Sequence, residues 1–415
     1  MEPGVAVARR LPPVVSSVQT YYGNQGDGRR AERMATRNRQ AFDVVALGAL
    51  NVDLVVEGGG AEENGFSSAE DSERIGSHRF IRELIARRGE TAIPFLGGSA
   101  FNTMLIFGQL RLGLRLGIIG VSGAVGDGLH RGHVDTLATV GVEDLTLASF
   151  SEAGLCRSET GPNGRELLTS PGANREIARH LGIGRTNPEL LDAIAGLRIL
   201  HVTSLIEDSE QTESSQIAES VADFMSEVRR RNPDVLITVD PGELWVRRVR
   251  SSAVARIFRQ ADVVLLNHQE YQQLVGDDPE VRSSVRLLTS LCPRAGIVIL
   301  KGLTEVIVQH SSGVTLAAIP RLRGVATVDP TGAGDALAAG VLAALASGRS
   351  LVEGCFLGRD LAAIRVSALG DVGHSDLRSK VGELWPGVIE AAPLEGLCGT
   401  AAMIESIVGC GSAPG

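Results

Sequence analysis

Lysine is almost missing from this chain of 415 residues: of its 40 basic residues only Lys301 and Lys380 are lysine, and the other 38 are arginine. Neither lysine stands in a GxxxxGK[ST] stretch, which removes the P-loop NTPases, whose phosphate loop needs a positioned lysine. Aromatic residues make up only 4% of the chain and the formal net charge is −9, so neither a stacking platform nor a basic footprint for nucleic acid is present. No apolar run reaches the roughly 18 residues of a membrane-crossing helix; the best, 336–346, is short and follows Asp335. Five cysteines (Cys156, Cys292, Cys355, Cys398, Cys410) are scattered, with no CxxC pair. A disulfide framework or zinc site is thereby disfavoured, and a reducing, cytoplasmic setting is expected.

What remains is 43% hydrophobic and rich in glycine, with 50 residues of that type. Such a chain suits helices packed on a sheet. Residues 1–41 mix Pro, Gly, Ser and Arg without apolar period and read as a disordered tail. From Phe42 onward, near-continuous Val/Ile/Leu runs at 43–48, 116–121, 198–205, 234–240, 262–267 and 296–300 read as strands buried on both faces. Helical stretches are expected between them, at 99–112, 211–231, 251–260, 268–276, 279–291 and 335–347. The alternation predicts an α/β fold, a three-layer α/β/α sandwich with a mainly parallel central sheet. Two looser segments, 58–91 and 150–175, read as loops or as edge strands of a small cover. Residues 376–415 form a C-terminal extension without legible chemistry.

The most informative stretch is VDPTGAGDALAAG, 328–340. A Thr-Gly-Ala-Gly turn opening a helix can hold an anion on its backbone N–H groups, yet Asp335 places a carboxylate beside it. If the turn holds the transferring phosphoryl group of ATP, that carboxylate can take the proton of an incoming hydroxyl as its oxygen attacks phosphorus. The helix N-terminus favours the ionised form, so Asp335 is expected to stay deprotonated. Gly332, Ala333 and Gly334 then form the anion hole. A plain Gly-rich turn with a helix-capping Asp has the same letters.

The DPTGAGD signature resembles that of the PfkB/ribokinase-type carbohydrate kinases. The resemblance runs in order from about residue 43 to 373, through GALNVDLVV (48–56), GGSAFNT (97–103), GAVGDG (123–128), SPGANREI (170–177), VDPGELW (239–245) and NHQE (267–270). It implies a ribokinase-like kinase domain over 42–375, with a small β lid drawn from parts of 54–96 and 150–175. It implies ATP and Mg²⁺ as cofactors, with Glu270 positioning Mg²⁺ through water and Asn267 contacting the phosphates. Asn51, Asp53, Gly97, Gly98 and Asn102 would cradle the acceptor. Lys301, Gly302 and Thr331 would lie by the nucleotide, and Asp329 is a candidate oxygen ligand for K⁺.

Departures fall at 301–305, where Glu305 replaces a family glycine, and at 239–245, which lacks the family's Asn and Arg. The expected activity is phosphorylation of a hydroxyl on a sugar or sugar-like molecule. A nucleoside kinase and a catalytically silent sugar-binding protein are the alternatives, and family analogy adds a homodimer formed through the lid.

Overall fold

The protein's structure is a computed structural model that describes residues 41–56, 72–124, 132–161, 164–182, 186–206, 216–248, 252–275, 297–302, 305–310, 315–367 and 377–385. The expected helix at 279–291, the GAVGDG turn beyond Ala124, the tail up to residue 40 and the extension beyond 385 lie outside the described residues.

Nine strands form the central sheet. From one edge to the other they are Thr315–Pro320, Glu305–His310, Ile297–Lys301, Val263–Asn267, Leu236–Asp240, Ile199–Thr203, Val44–Leu47, Leu116–Ile119 and Val142–Asp144. The seven from Ile297–Lys301 to Val142–Asp144 pair in parallel, and only the two strands at the Thr315–Pro320 edge pair antiparallel. Alternate residues serve opposite faces: Val45 and Leu47 join one apolar core, Val44 and Ala46 the other. Both faces are covered by helices, which explains why these strands read as unbroken apolar runs. The α/β sandwich and its mainly parallel sheet are as the sequence leads one to expect.

A second sheet has five strands, in the order Ser72–Ile75, Gly164–Ser170, Gly154–Gly161, Asn51–Val56 and Ala92–Gly97. Its register sets Asn51 between Gly97 and Gly154, and Asp53 opposite Phe95. Within the stretch read as loop or edge strand lies a helix, His78–Arg88. Its N-cap Ser77 accepts the Phe80 N–H, and Gly89 closes it in the left-handed conformation. Only one of its side chains, Ile81, is fully buried, so the apolar period that would announce a helix is faint.

The helix that carries Asp335, Ala333–Ala346, begins two residues earlier than the sequence reading placed it. It packs on the Leu351–Arg365 helix through glycine: a Cβ on Gly340 would lie 2.3 Å from the Gly358 backbone nitrogen. Bare backbone on both sides fixes the depth of the Asp335 helix against its neighbour. Gly340→Ala is therefore expected to cost about 1–3 kcal/mol through overpacking, measured as a lower midpoint of denaturant unfolding; an unchanged midpoint would contradict that close approach.

Candidate active site

Parallel strands deliver their last residues to one edge of a sheet, and in open α/β folds the ligand crevice lies outside that carboxyl edge. Here Asp240, Asn267 and Lys301 each end a strand of the central sheet. Facing them is the start of the Ala333–Ala346 helix, which follows Gly332 at φ 80°, a left-handed turn that a side chain resists.

Asp335 sits in the first turn of that helix, but its side chain does not cap it. Ser99 Oγ donates to Asp335 Oδ1 at 2.5 Å and Asn102 Nδ2 donates to Oδ2 at 3.1 Å. Both donors belong to the Ser99–Gln109 helix, and Thr103 Oγ1 donates to the Asp335 carbonyl at 3.4 Å. That helix starts immediately after Gly97 and Gly98. A Cβ on Gly97 would lie 2.0 Å from Asp53 Oδ2, and one on Gly98, which holds φ 101°, would lie 2.3 Å from the Ala49 carbonyl oxygen. The geometry thus joins Asp335, Asn102, Gly98, Gly97 and Asp53 in one continuous stretch. Ser99 and Thr103 belong to it as well. Ser99 was missed because a serine at a helix start reads as an ordinary cap.

Asn51 is turned away into a buried polar knot. Its Oδ1 accepts from Asn174 Nδ2 at 2.9 Å, while Asn174 also receives the Leu50 N–H at 3.0 Å. His133 braces the same backbone. Its Nε2 lies 2.7 Å from the Asn51 carbonyl, which can only accept, so Nε2 carries the proton. Burial pushes the His133 imidazolium down to about 4, keeping the ring neutral. A lone histidine near the start of the short Gly132–Thr139 helix gives no sequence sign of this contact.

On the opposite wall, Asn267 and Glu270 form a reciprocal cap: Glu270 Oε2 accepts the Asn267 N–H and Asn267 Oδ1 accepts the Glu270 N–H, both at 2.7 Å. Lys301 Nζ donates to both carboxylate oxygens of Asp240 at 2.8 Å. The same ammonium lies 3.3 Å from where a Cβ on Gly334 would stand, so it rests against the middle of the glycine turn. Gly302, just beyond the strand end, closes against the Glu305 carbonyl, 2.6 Å from its would-be Cβ.

Three carboxylates and one lysine therefore share the crevice. Burial pushes Glu270 up to about 7, with the Asp240 and Glu243 charges adding and Lys301 and the Asn267 N–H opposing. Burial raises Asp335 above the usual aspartate range; the Asp240 charge adds to this, while Ser99, Asn102 and Lys301 pull it back. The helix N-terminus does not keep Asp335 at an ordinary value, because desolvation outweighs a dipole effect of about 0.3–1 kcal/mol. Burial works against the Lys301 ammonium too, but Asp240, Glu270 and Asp335 more than restore it and its affinity for the proton is raised.

Asp329 is less open to a cation. It accepts the Thr331 N–H at 2.9 Å, and the Arg365 guanidinium lies 3.5 Å from its other oxygen, with both side chains 3% exposed. A guanidinium already meets that charge, so these residues do not fit a K⁺ site. For Mg²⁺ with ATP the fit is better: a glycine turn with an ammonium beside it suits phosphate, and Glu270 faces the same crevice. Among the described residues no group of three or more acidic, His or Cys side chains could cage a metal. Mg²⁺ needs none, since it keeps waters and takes phosphate oxygens.

The PfkB family carbohydrate kinase model matches residues 86–376, and the chain belongs to that family. Curated proteins give no match. Among solved structures, adenosine kinase from Schistosoma mansoni in complex with 2-fluoroadenosine is 14% identical, with TM-score 0.66, over 82% of this chain and 99% of that one. Adenosine kinase from Sinorhizobium meliloti is 21% identical, TM-score 0.66, over 83% and 99%. Ribokinase from Giardia lamblia is 15% identical, TM-score 0.63, again over 83% and 99%. The fold is thus ribokinase-like, and by family the chain is a PfkB kinase, a phosphotransferase. No helix among the described residues is long and apolar enough to cross a membrane.

A raised carboxyl in the folded protein is a pH-dependent cost. Folding favours the protonated Asp335, so the wild type loses stability as pH rises from the unfolded value through the folded one. Asp335→Asn should remove that cost: its Tm is expected to exceed the wild type's at pH 8 and to match it near pH 4. A variant with equal or lower Tm at pH 8 would show that the carboxylate is not strained by burial.

Proposed function

We propose that this protein is an ATP-dependent kinase that phosphorylates an alcohol group of a sugar or sugar-like molecule, with Asp335 as general base. The carrying observation is the placement of Asp335 between two helix starts. One start, Gly332–Gly334 with Lys301, suits phosphate; the other, Gly97–Gly98 with Asp53 and Asn102, suits vicinal hydroxyls.

In this reading the acceptor hydroxyl gives its proton to an Asp335 oxygen as its own oxygen bonds to the γ-phosphorus and the bond to ADP breaks. Ser99 and Asn102 aim the carboxylate, and the N–H groups of the turn with the Lys301 ammonium meet the equatorial phosphate oxygens. Glu270 would hold Mg²⁺ through water, with Asn267 fixing the Glu270 carboxylate by their mutual cap. Bound Mg²⁺ supplies charge neutralisation on the phosphates. The five-stranded sheet, which contributes Asp53 and Gly97, would serve as the lid that excludes water on closure, and a homodimer would form through it.

The neighbouring structures include both adenosine kinases and ribokinase, so the acceptor decides between sugar and nucleoside. The test is an acceptor panel with MgATP, read as ADP release. Turnover with free sugars is expected. Turnover confined to nucleosides would replace the sugar reading, and sugar binding by calorimetry without ADP release would make the protein a binder. With the best acceptor, Asp335→Asn should lower kcat by about 10²–10⁴-fold, the range for a positioned base, and leave ATP affinity within twofold. Near-normal turnover would remove Asp335 from the role. Because Arg365 already meets Asp329, replacing Na⁺ by K⁺ is expected to change kcat less than twofold, and strong K⁺ activation would contradict that arrangement.

A further inference from the structure

The Asp240–Lys301 pair is an unusual contact in this chain. Its side chains are 7% and 13% exposed, and burying two charges costs more than a surface pair returns. Elsewhere arginine is the partner of paired, buried or half-buried carboxylates: Arg229 meets Asp262, Arg198 meets Asp43 and Arg157 meets Glu90. With 38 arginines and two lysines available, lysine stands against Gly334, at the helix side of the glycine turn, while Arg365, which meets Asp329, lies against Gly332 at its start. Chemistry explains the choice. A guanidinium on Asp240 would be locked fork to fork, whereas an ammonium is a compact charge with three rotatable donors. Asp240 takes two of them, at 2.8 Å each.

We infer that Asp240 is the positioning residue of a phosphate clamp: it holds the Lys301 ammonium against the Gly332–Gly334 turn so that the remaining N–H meets an oxygen of the transferring phosphoryl group. Asp240 itself touches no substrate. Its charge would repel phosphate if it were unpaired, and the same pairing with Lys301 cancels it. The other ionisable groups facing Lys301 are Glu270 and Asp335, with His201 beneath. Burial pushes the His201 imidazolium down to about 4, so that ring adds no charge. This inference rests on the kinase reading, and its test is built to fail separately from it.

With two lysines in the chain, lysine labelled at the ε-carbon gives two side-chain NMR signals, and Lys380→Arg assigns them. Adding Mg²⁺ with a non-hydrolysable ATP analogue should move the Lys301 signal and leave that of Lys380. Asp240→Asn should shift the Lys301 signal toward that of a free lysine before nucleotide is added, and weaken analogue binding about tenfold. Lys301→Met, which leaves the Asp240 charge facing the phosphate, should weaken binding at least as much, and the double variant should be no weaker than Lys301→Met within twofold. Should Lys301→Met fold poorly with Asp240 left unpaired, the single Asp240→Asn spectrum and the wild-type titration still decide.

An unmoved Lys301 signal in Asp240→Asn, or losses that multiply in the double variant, would overturn the clamp. Wild-type protein that turns over ATP while its Lys301 signal ignores nucleotide would overturn the clamp and leave the kinase intact. Protein that neither binds the analogue nor turns over on the acceptor panel would remove both.

Discussion

Two hydrogen bonds, from Ser99 and Asn102 to the carboxylate of Asp335, hold the site together. They tie the start of the helix that follows the glycine turn to the start of the helix that follows Gly97–Gly98. Neither helix start is a site alone, because one offers donors for an anion and the other a bare surface for hydroxyls. Bridged by a single side chain, they become a place where an oxygen can lose a proton and gain phosphorus. The packing behind serves that bridge: glycine against glycine seats the Asp335 helix, and the Asn51–Asn174 knot with His133 seats the strand leading to Asp53.

The electrostatics follow from crowding. Asp240, Glu270 and Asp335 sit around one lysine, and burial raises Glu270 and Asp335. A site of this kind is poised for cations and phosphate, whose arrival redistributes the charge. Without them it holds more negative charge than a stable interior favours. Stability is surrendered at the place where chemistry is gained.

Much of this could be read from the letters, for identifiable reasons. Strands such as 263–267 are buried on both faces, so their composition alone marks them. The second sheet was harder to see. Its Gly154–Gly161 strand buries Arg157 and Ser158, because Arg157 is paired with Glu90 and Glu159, and a buried arginine reads as surface until its partners are known. The helix at His78–Arg88 was hidden by its polarity, although Ser77 and Gly89 bracket it as caps. In the site, the glycine turn, Asp335, Asn102 and the Asn267–Glu270 cap were legible as patterns. Ser99, Asp240 and His133 were not, since each acts through a partner distant in sequence. Asp329 was legible as an oxygen ligand, but Arg365, 36 residues away, could not be foreseen beside it.

The central claim is that the ionised Asp335 carboxylate, tuned by its two donors, accepts the acceptor's proton. The most direct measurement is the pH dependence of kcat/KM for a turning-over acceptor in the wild type and in Ser99→Ala. Activity should fall as pH drops through an acid limb lying above the ordinary aspartate range. Removing the Ser99 donor, which favours the ionised form, should move that limb to higher pH. A limb at the same pH in both proteins would contradict the account.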